Sequence, residues 1–194
     1  MTGGLTPRER ELLLKLARSA IHDALENRHE LEPLLAEARG WPALTARRGA
    51  FVTLKAPDDS GARGYRLRGC IGNACATDPL YRTIAEVAPR AALRDPRFDP
   101  VTTEELPALR FEISALTAME PLRLIDDVVL GRDGVQLTRG DFRSLFLPQV
   151  AVEQSWTTTR LVEELSIKAG LPRDGWQRAT LETFQAETFG DGPR

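Results

Sequence analysis

The segment Tyr65-Arg66-Leu67-Arg68-Gly69-Cys70-Ile71-Gly72 constrains this chain most, because it alternates with the period of a β-strand while carrying two glycines that a strand normally avoids. Ala50 to Lys55 reads as another strand, and residues 56 to 64, APDDSGARG, place turn-forming types in quick succession between the two. An antiparallel pair is the expectation. The period of two puts Tyr65, Leu67, Gly69 and Ile71 on the core face, and Arg66, Arg68, Cys70 and Gly72 on the other.

Two readings of Cys70 stand side by side. On the less apolar face it shares its surroundings with two arginines, whose charge favours the thiolate and raises reactivity. Alternatively Gly69 or Gly72 introduces a bulge, the alternation flips, and Cys70 turns inward as a small hydrophobe.

Helices are legible from caps and periodicity. Thr6-Pro7-Arg8-Glu9 is a capping box with proline at the first helical position, and Leu12, Leu13, Leu16, Ala20, Ile21 and Ala24 form one apolar stripe as far as Asn27. Pro33, Gly40 and Pro42 break the stretch from Leu31 to Leu44 into short helical turns and loop. Thr77-Asp78-Pro79 starts a helix with Leu80, Ile84 and Val87 on one side before Pro89, and its N-terminal amides are expected to point toward Cys70. Asp95-Pro96-Arg97-Phe98 is a turn in which Asp95 and Arg97 pair locally, and Thr102 with Glu105 makes a short capped turn.

Beyond these, Leu109, Phe111, Ile113 and Ala115 alternate in a core strand. Val135 to Thr138 and Phe142 to Leu147 form a hairpin through Arg139-Gly140-Asp141, a triplet read as a β-turn rather than as an integrin ligand. After Trp156 a helix carries Leu161, Leu165 and Lys168 and stops at Gly170. Ala179 to Phe189 is a last strand, and the tails MTGG and GDGPR read as disordered.

Composition narrows the function classes. With 194 residues, 42% of them hydrophobic, the chain can bury one substantial core or two small ones. Its 26 basic and 28 acidic residues leave a net charge of −2, which removes the usual electrostatic reason for binding nucleic acid. The absence of an apolar run of membrane-spanning length and of a signal peptide pattern favours a cytoplasmic protein. Cys70 and Cys75 lack the spacing of a redox or zinc pair, and His22 and His29 read as surface or boundary residues, so no metal and no cofactor are expected.

Four stretches taken together resemble the AMMECR domain family, whose prokaryotic members are labelled protein A of the AmmeMemoRadiSam system. They are Leu67-Arg68-Gly69-Cys70-Ile71-Gly72, the family's hallmark; Asp95-Pro96-Arg97-Phe98; Phe146-Leu147-Pro148-Gln149-Val150 with Glu153 and Trp156; and Lys168-Ala169-Gly170-Leu171-Pro172 with Trp176. Three positions depart from the pattern: Ser166 stands where many members carry a cysteine, Asp133 where a histidine is frequent, and Pro89 within a helix that is usually continuous.

The resemblance implies an α+β fold of two unequal lobes, each an antiparallel sheet with flanking helices, with a cleft between them that the LRGCIG side chains face. The larger lobe would take about 1–121 and 176–190, and the inserted one about 122–175. The system's name implies company with a Memo-like protein and a radical S-adenosylmethionine protein, in a modification pathway.

Two functions follow. In the first, Cys70 is a nucleophile acting on a large substrate, Arg68 lowers its pKa or holds an anion, the amides near Gly69 and Gly72 stabilise negative charge, and Glu153 is the acid/base. Its weakness is the missing histidine. In the second, the chain is a non-catalytic adaptor whose cleft wall, made by Leu67, Gly69, Ile71, Gly72, Asp95, Arg97, Gln149 and Trp156, holds a protein or peptide partner.

Overall fold

The computed structural model describes residues 4–26, 28–58 and 64–191. It is a mixed helix and sheet structure built on antiparallel strand pairs. The chain divides into two compact units, residues 1–115 with 187–194, and 116–186. Among the described residues no helix is long and apolar enough to cross a membrane.

In the first unit, helix α1 (Pro7–Glu26) starts at the expected capping box. The Thr6 amide donates to Glu9 Oε2 at 2.7 Å, and the Glu9 amide donates back to Thr6 Oγ1 at 3.3 Å. The expected end at Asn27 falls just outside the described residues. Leu13, Leu16 and Ile21 are fully buried, which is the apolar stripe laid on a core. Helices α2 (Leu31–Ala38) and α3 (Pro42–Thr45) follow. Pro33 does not break α2, because it sits in the first turn, where an amide has no intrahelical partner to lose.

Strands β1 (Ala50–Pro57) and β2 (Tyr65–Asn73) form the expected antiparallel pair. The turn between them lies partly outside the described residues. The register holds an irregularity: Leu54 faces Gly69 while Lys55 faces Leu67, so Arg68 is an extra residue without a partner across the ladder. This β-bulge corrects the expected alternation. Gly69 and Ile71 stay opposite the buried Leu54 and Val52, but Tyr65 and Leu67 are shifted to the other face and exposed, while Arg68 turns inward. The flip anticipated for Cys70 therefore falls on the residues before it, and Cys70 keeps the outer face beside Thr53.

Helix α4 (Leu80–Leu93) covers the inner face of this pair. It runs through Pro89 rather than stopping before it. Leu80, Ile84, Val87, Ala88, Ala91 and Ala92 all bury against the core, and that burial offsets the roughly 3 kcal/mol that an interior proline costs. Its N-cap is Pro79, with no side-chain cap from Thr77 or Asp78.

Strand β3 (Arg110–Leu116) joins β1, with Phe111, Ile113 and Ala115 buried as their alternation predicts. The end of β7 (Thr180–Gly190) completes the first unit's order β2-β1-β3-β7. Gly190 and Asp191 are not a loose tail. The Asp191 amide donates to Phe111 O at 2.9 Å, and its carboxylate accepts from the Phe111 amide and from Arg18. The remaining tail residues, 1–3 and 192–194, lie outside the described residues.

The second unit pairs the beginning of β7 with β4 (Glu120–Pro121) and with β5 (Asp133–Arg139), which continues into β6 (Phe142–Phe146). Gly140, at φ +60°, makes the β5–β6 turn inside the Arg-Gly-Asp triplet. Helices α5 (Pro148–Glu153) and α6 (Thr158–Lys168) pack on Val135 and Leu137 through Ala151, Leu161, Val162 and Leu165.

Gly69 sets the closest approach of strand to helix. A Cβ there would lie 2.2 Å from the Ala91 carbonyl oxygen of α4. Gly69→Ala is expected to lower stability by about 1–3 kcal/mol in urea denaturation, the usual cost of overpacking. Gly64→Ala, where nothing lies within 4 Å, should leave the midpoint almost unchanged.

Candidate functional site

The bulge decides what the hallmark segment presents. Arg68 is buried, and all three nitrogens of its guanidinium are engaged: Nε and Nη2 each reach a Glu105 carboxylate oxygen at 3.0 Å, Nη1 donates to Asp99 O at 2.8 Å, and Nη2 also reaches Pro100 O. The Arg68 guanidinium holds the Glu105 carboxyl below its ordinary range. Glu105 in turn closes the reciprocal cap with Thr102 that the spacing predicts. Arg68 is therefore a clamp on the 99–105 segment.

The guanidinium beside Cys70 belongs to Arg97. Asp95 is buried, its side chain 3% exposed, and accepts Arg97 Nη2 at 2.7 Å, Arg97 Nε at 2.9 Å, the Arg97 amide at 3.1 Å and the Cys70 amide at 2.8 Å. Arg97 Nη2 also donates to the Cys70 carbonyl at 3.3 Å. The local Asp95–Arg97 pair thus does the work of a neighbouring strand: a carboxylate takes the outward N–H of β2, and a guanidinium serves its outward C=O.

Cys70 Sγ is half-buried and accepts a hydrogen bond from Thr53 Oγ1 at 3.3 Å. The expected help from the α4 N-terminus is not available. Gly69 packs on Ala91 in the last turn of α4, and Asp95 follows directly after the Arg94 C-cap, so this is the helix end with the wrong dipole sign for an anion. Gly72 is occupied by packing too, since a Cβ there would meet the Phe51 ring at 2.3 Å and Ala50 O at 2.6 Å.

An open depression of about 410 Å³ sits beside this arrangement, lined by Arg66, Arg68, Pro96, Arg97, Phe98 and Asp99. Leu67, between two of the lining arginines in sequence, is 39% exposed. Ile71 instead packs on the core of the first unit.

The other expected residues belong to the second unit. Gln149 and Glu153 lie on α5, with Glu153 exposed. Trp156 stands edge-on to Phe146 at 5.2 Å and packs against the core of that unit. Ser166 is fully buried, donates to Val162 O and accepts the Trp176 amide. Asp133 is held by Arg132 and the Val129 amide, Arg132 being the main reason its carboxyl sits below the ordinary range. His22 is half-buried in α1 and His29 is exposed. Among the described residues no three His, Cys, Asp or Glu side chains come together to hold a metal.

Thr53, Phe98, Asp99 and Glu105 are site residues that the sequence does not reveal, and Arg66, expected beside Cys70, lines the depression instead. The two-residue spacing of Asp95 and Arg97 was a readable signal for their pairing. Nothing in the sequence links Arg68 to Glu105, 37 positions away.

Arg97 first, then the Cys70 and Arg97 amides, hold the Asp95 carboxyl well below the usual carboxylate range, against burial. A depressed folded-state pKa contributes stability above the unfolded value of about 4 and loses it as pH falls further. Asp95→Asn is expected to cost about 2 kcal/mol at neutral pH, less than the roughly 3–5 for a fully buried pair because Arg97 stays half in water. In urea titrations at several pH values, that deficit should shrink steadily below pH of about 4. A deficit independent of pH would mean that the charge of Asp95 does not matter.

A model of the AMMECR1 family matches residues 14–189. A protein of Thermofilum pendens is 39% identical over 198 residues, covering 96% of this chain and 92% of its own length. A Methanopyrus kandleri protein is 37% identical, covering 95% and 89%. The crystal structure of the uncharacterized protein PH0010 from Pyrococcus horikoshii superimposes with a TM-score of 0.84 at 34% identity, over 97% of this chain and 96% of that one.

Proposed function

We propose that this chain, which belongs to the AMMECR1 family, acts as a binding subunit: the outer edge of β2 and the 95–98 turn hold a protein or peptide partner. The observation that carries this reading is the state of Asp95. Its carboxylate reaches the Cys70 amide, yet it is buried, already accepts four N–H donors and is held well below the usual carboxylate range mainly by Arg97, so it is poorly suited to take a proton from the thiol. Cys70 then serves as wall, with the exposed Leu67 and the half-buried Phe98 as apolar contacts and Arg97 as a fixed donor.

A second reading keeps Cys70 as a nucleophile in a modification pathway, and one observation favours it. The thiol is half-exposed beside a guanidinium whose own pKa is raised, mainly by Asp95 and also by Cys70. In this version Arg97 replaces Arg68 in the role of cation.

The partners we propose are the Memo-like and radical S-adenosylmethionine proteins of the same system. The tagged wild-type chain is expected to retain at least one of them on beads, Leu67→Asp to lose it, and Cys70→Ser to keep it. Failure of the wild type to retain either would remove these partners. The catalytic reading is separated by iodoacetamide: in a Cys75→Ala background, Cys70 should react at least about tenfold more slowly folded than unfolded. Faster reaction in the folded protein would favour the nucleophile.

A further inference from the structure

We infer that the depression lined by Arg66, Arg97 and Phe98 takes a carboxylate carried on an apolar body, an assignment that rests on the binding reading above and gives it a ligand chemistry.

Arg97 is the reason. Its Nε and Nη2 are consumed by Asp95 and the Cys70 carbonyl, so the guanidinium plane is fixed before any ligand arrives. Among the described residues Nη1 has no partner, and the side chain is 53% exposed. An exposed arginine normally loses side-chain freedom when it binds, whereas this one has already lost it to its own fold. The result is an Nη1 amino group held in a fixed place at the rim of a depression, with Arg66 on the same wall.

Charge decides between oxyanions. The lining holds three guanidinium groups; Glu105 pairs with Arg68, Asp95 pairs with Arg97, and Asp99 adds a third carboxylate to the lining. No surplus positive charge remains to neutralise a phosphate dianion, and each further negative charge would face the exposed Asp99. A singly charged carboxylate uses the donors without that penalty. Phe98 and Pro96 supply the apolar surface beside it, with the Phe98 ring centroid 5.5 Å from the Arg97 guanidinium carbon.

The test is a titration of the whole protein followed by amide NMR shifts of Arg97, Phe98 and Asp99, with hippurate, hippurate methyl ester, benzoate and phenyl phosphate as probes. Hippurate should give saturable shifts in the millimolar range, and the ester should give none. Arg97→Lys should weaken hippurate about tenfold, because lysine keeps the charge but cannot bind Asp95 and the ligand through separate nitrogens of one rigid plane. Since that variant also disturbs Asp95, Arg66→Gln, at an exposed residue of β2, is the second reading and should weaken it severalfold. Benzoate binding as well as hippurate upholds the proposal for small aromatic acids, and hippurate alone upholds it for peptide C-termini. Equal shifts with the ester, tighter binding of phenyl phosphate, or no saturation by any carboxylate would overturn it. If the carboxylate fails while partner capture still depends on Leu67, only the ligand chemistry is lost and the binding reading survives.

Discussion

A buried carboxylate that has no lysine or arginine of a neighbouring strand to meet must find its partners close by, and the site grows out of how Asp95 does so. Arg97, two residues on, turns back over Pro96 to neutralise it, and the same carboxylate reaches across to the Cys70 amide. One charge therefore fastens the segment after α4 to the edge of β2. An edge strand with open N–H and C=O groups invites pairing with other chains. Here two side chains fill that place at Cys70, and they fill it with a geometry that also fixes the direction of a guanidinium.

The bulge at Arg68 is the second determinant. Without it, Arg68 would stand on the outer face beside Cys70, as simple alternation requires, and Leu67 would be in the core. With it, Arg68 passes inward to clamp Glu105 and the carbonyls of Asp99 and Pro100, and Leu67 comes to the surface. The hallmark segment thus holds a mixture of roles. Gly69 and Gly72 permit contacts too close for a side chain, Arg68 holds a loop, and only Leu67 and Cys70 keep outward positions.

Much of the fold was legible because it follows from local rules. The capping box at Thr6 and Glu9, the alternation of Phe111, Ile113 and Ala115, and the turn at Gly140 each depend on residues within a few positions of one another. What was hidden depends on distant partners. A bulge is invisible until the opposing strand is in place, and the inward path of Arg68 is set by a glutamate on another loop. Pro89 looked like a stop because its local cost is fixed, whereas the burial of α4 that offsets that cost is a property of the assembled core. The site was half legible for the same reason: the Asp95–Arg97 pair is local, but its attachment to Cys70 spans 25 residues.

Strand β7 gives the first unit a dependence on the order of synthesis. Its residues from 187 onward belong with residues 1–115, and Glu187 binds the Leu5 amide and Arg10 at the start of α1, while Asp191 ties off Phe111. A ribosome delivers all of 116–186 before that segment appears. Until then β3 waits with an unpaired edge and α1 without its anchor. Helix α1 is thus made before residues 116–186 but secured after them, and the nascent chain must keep β3 from pairing elsewhere while they are translated.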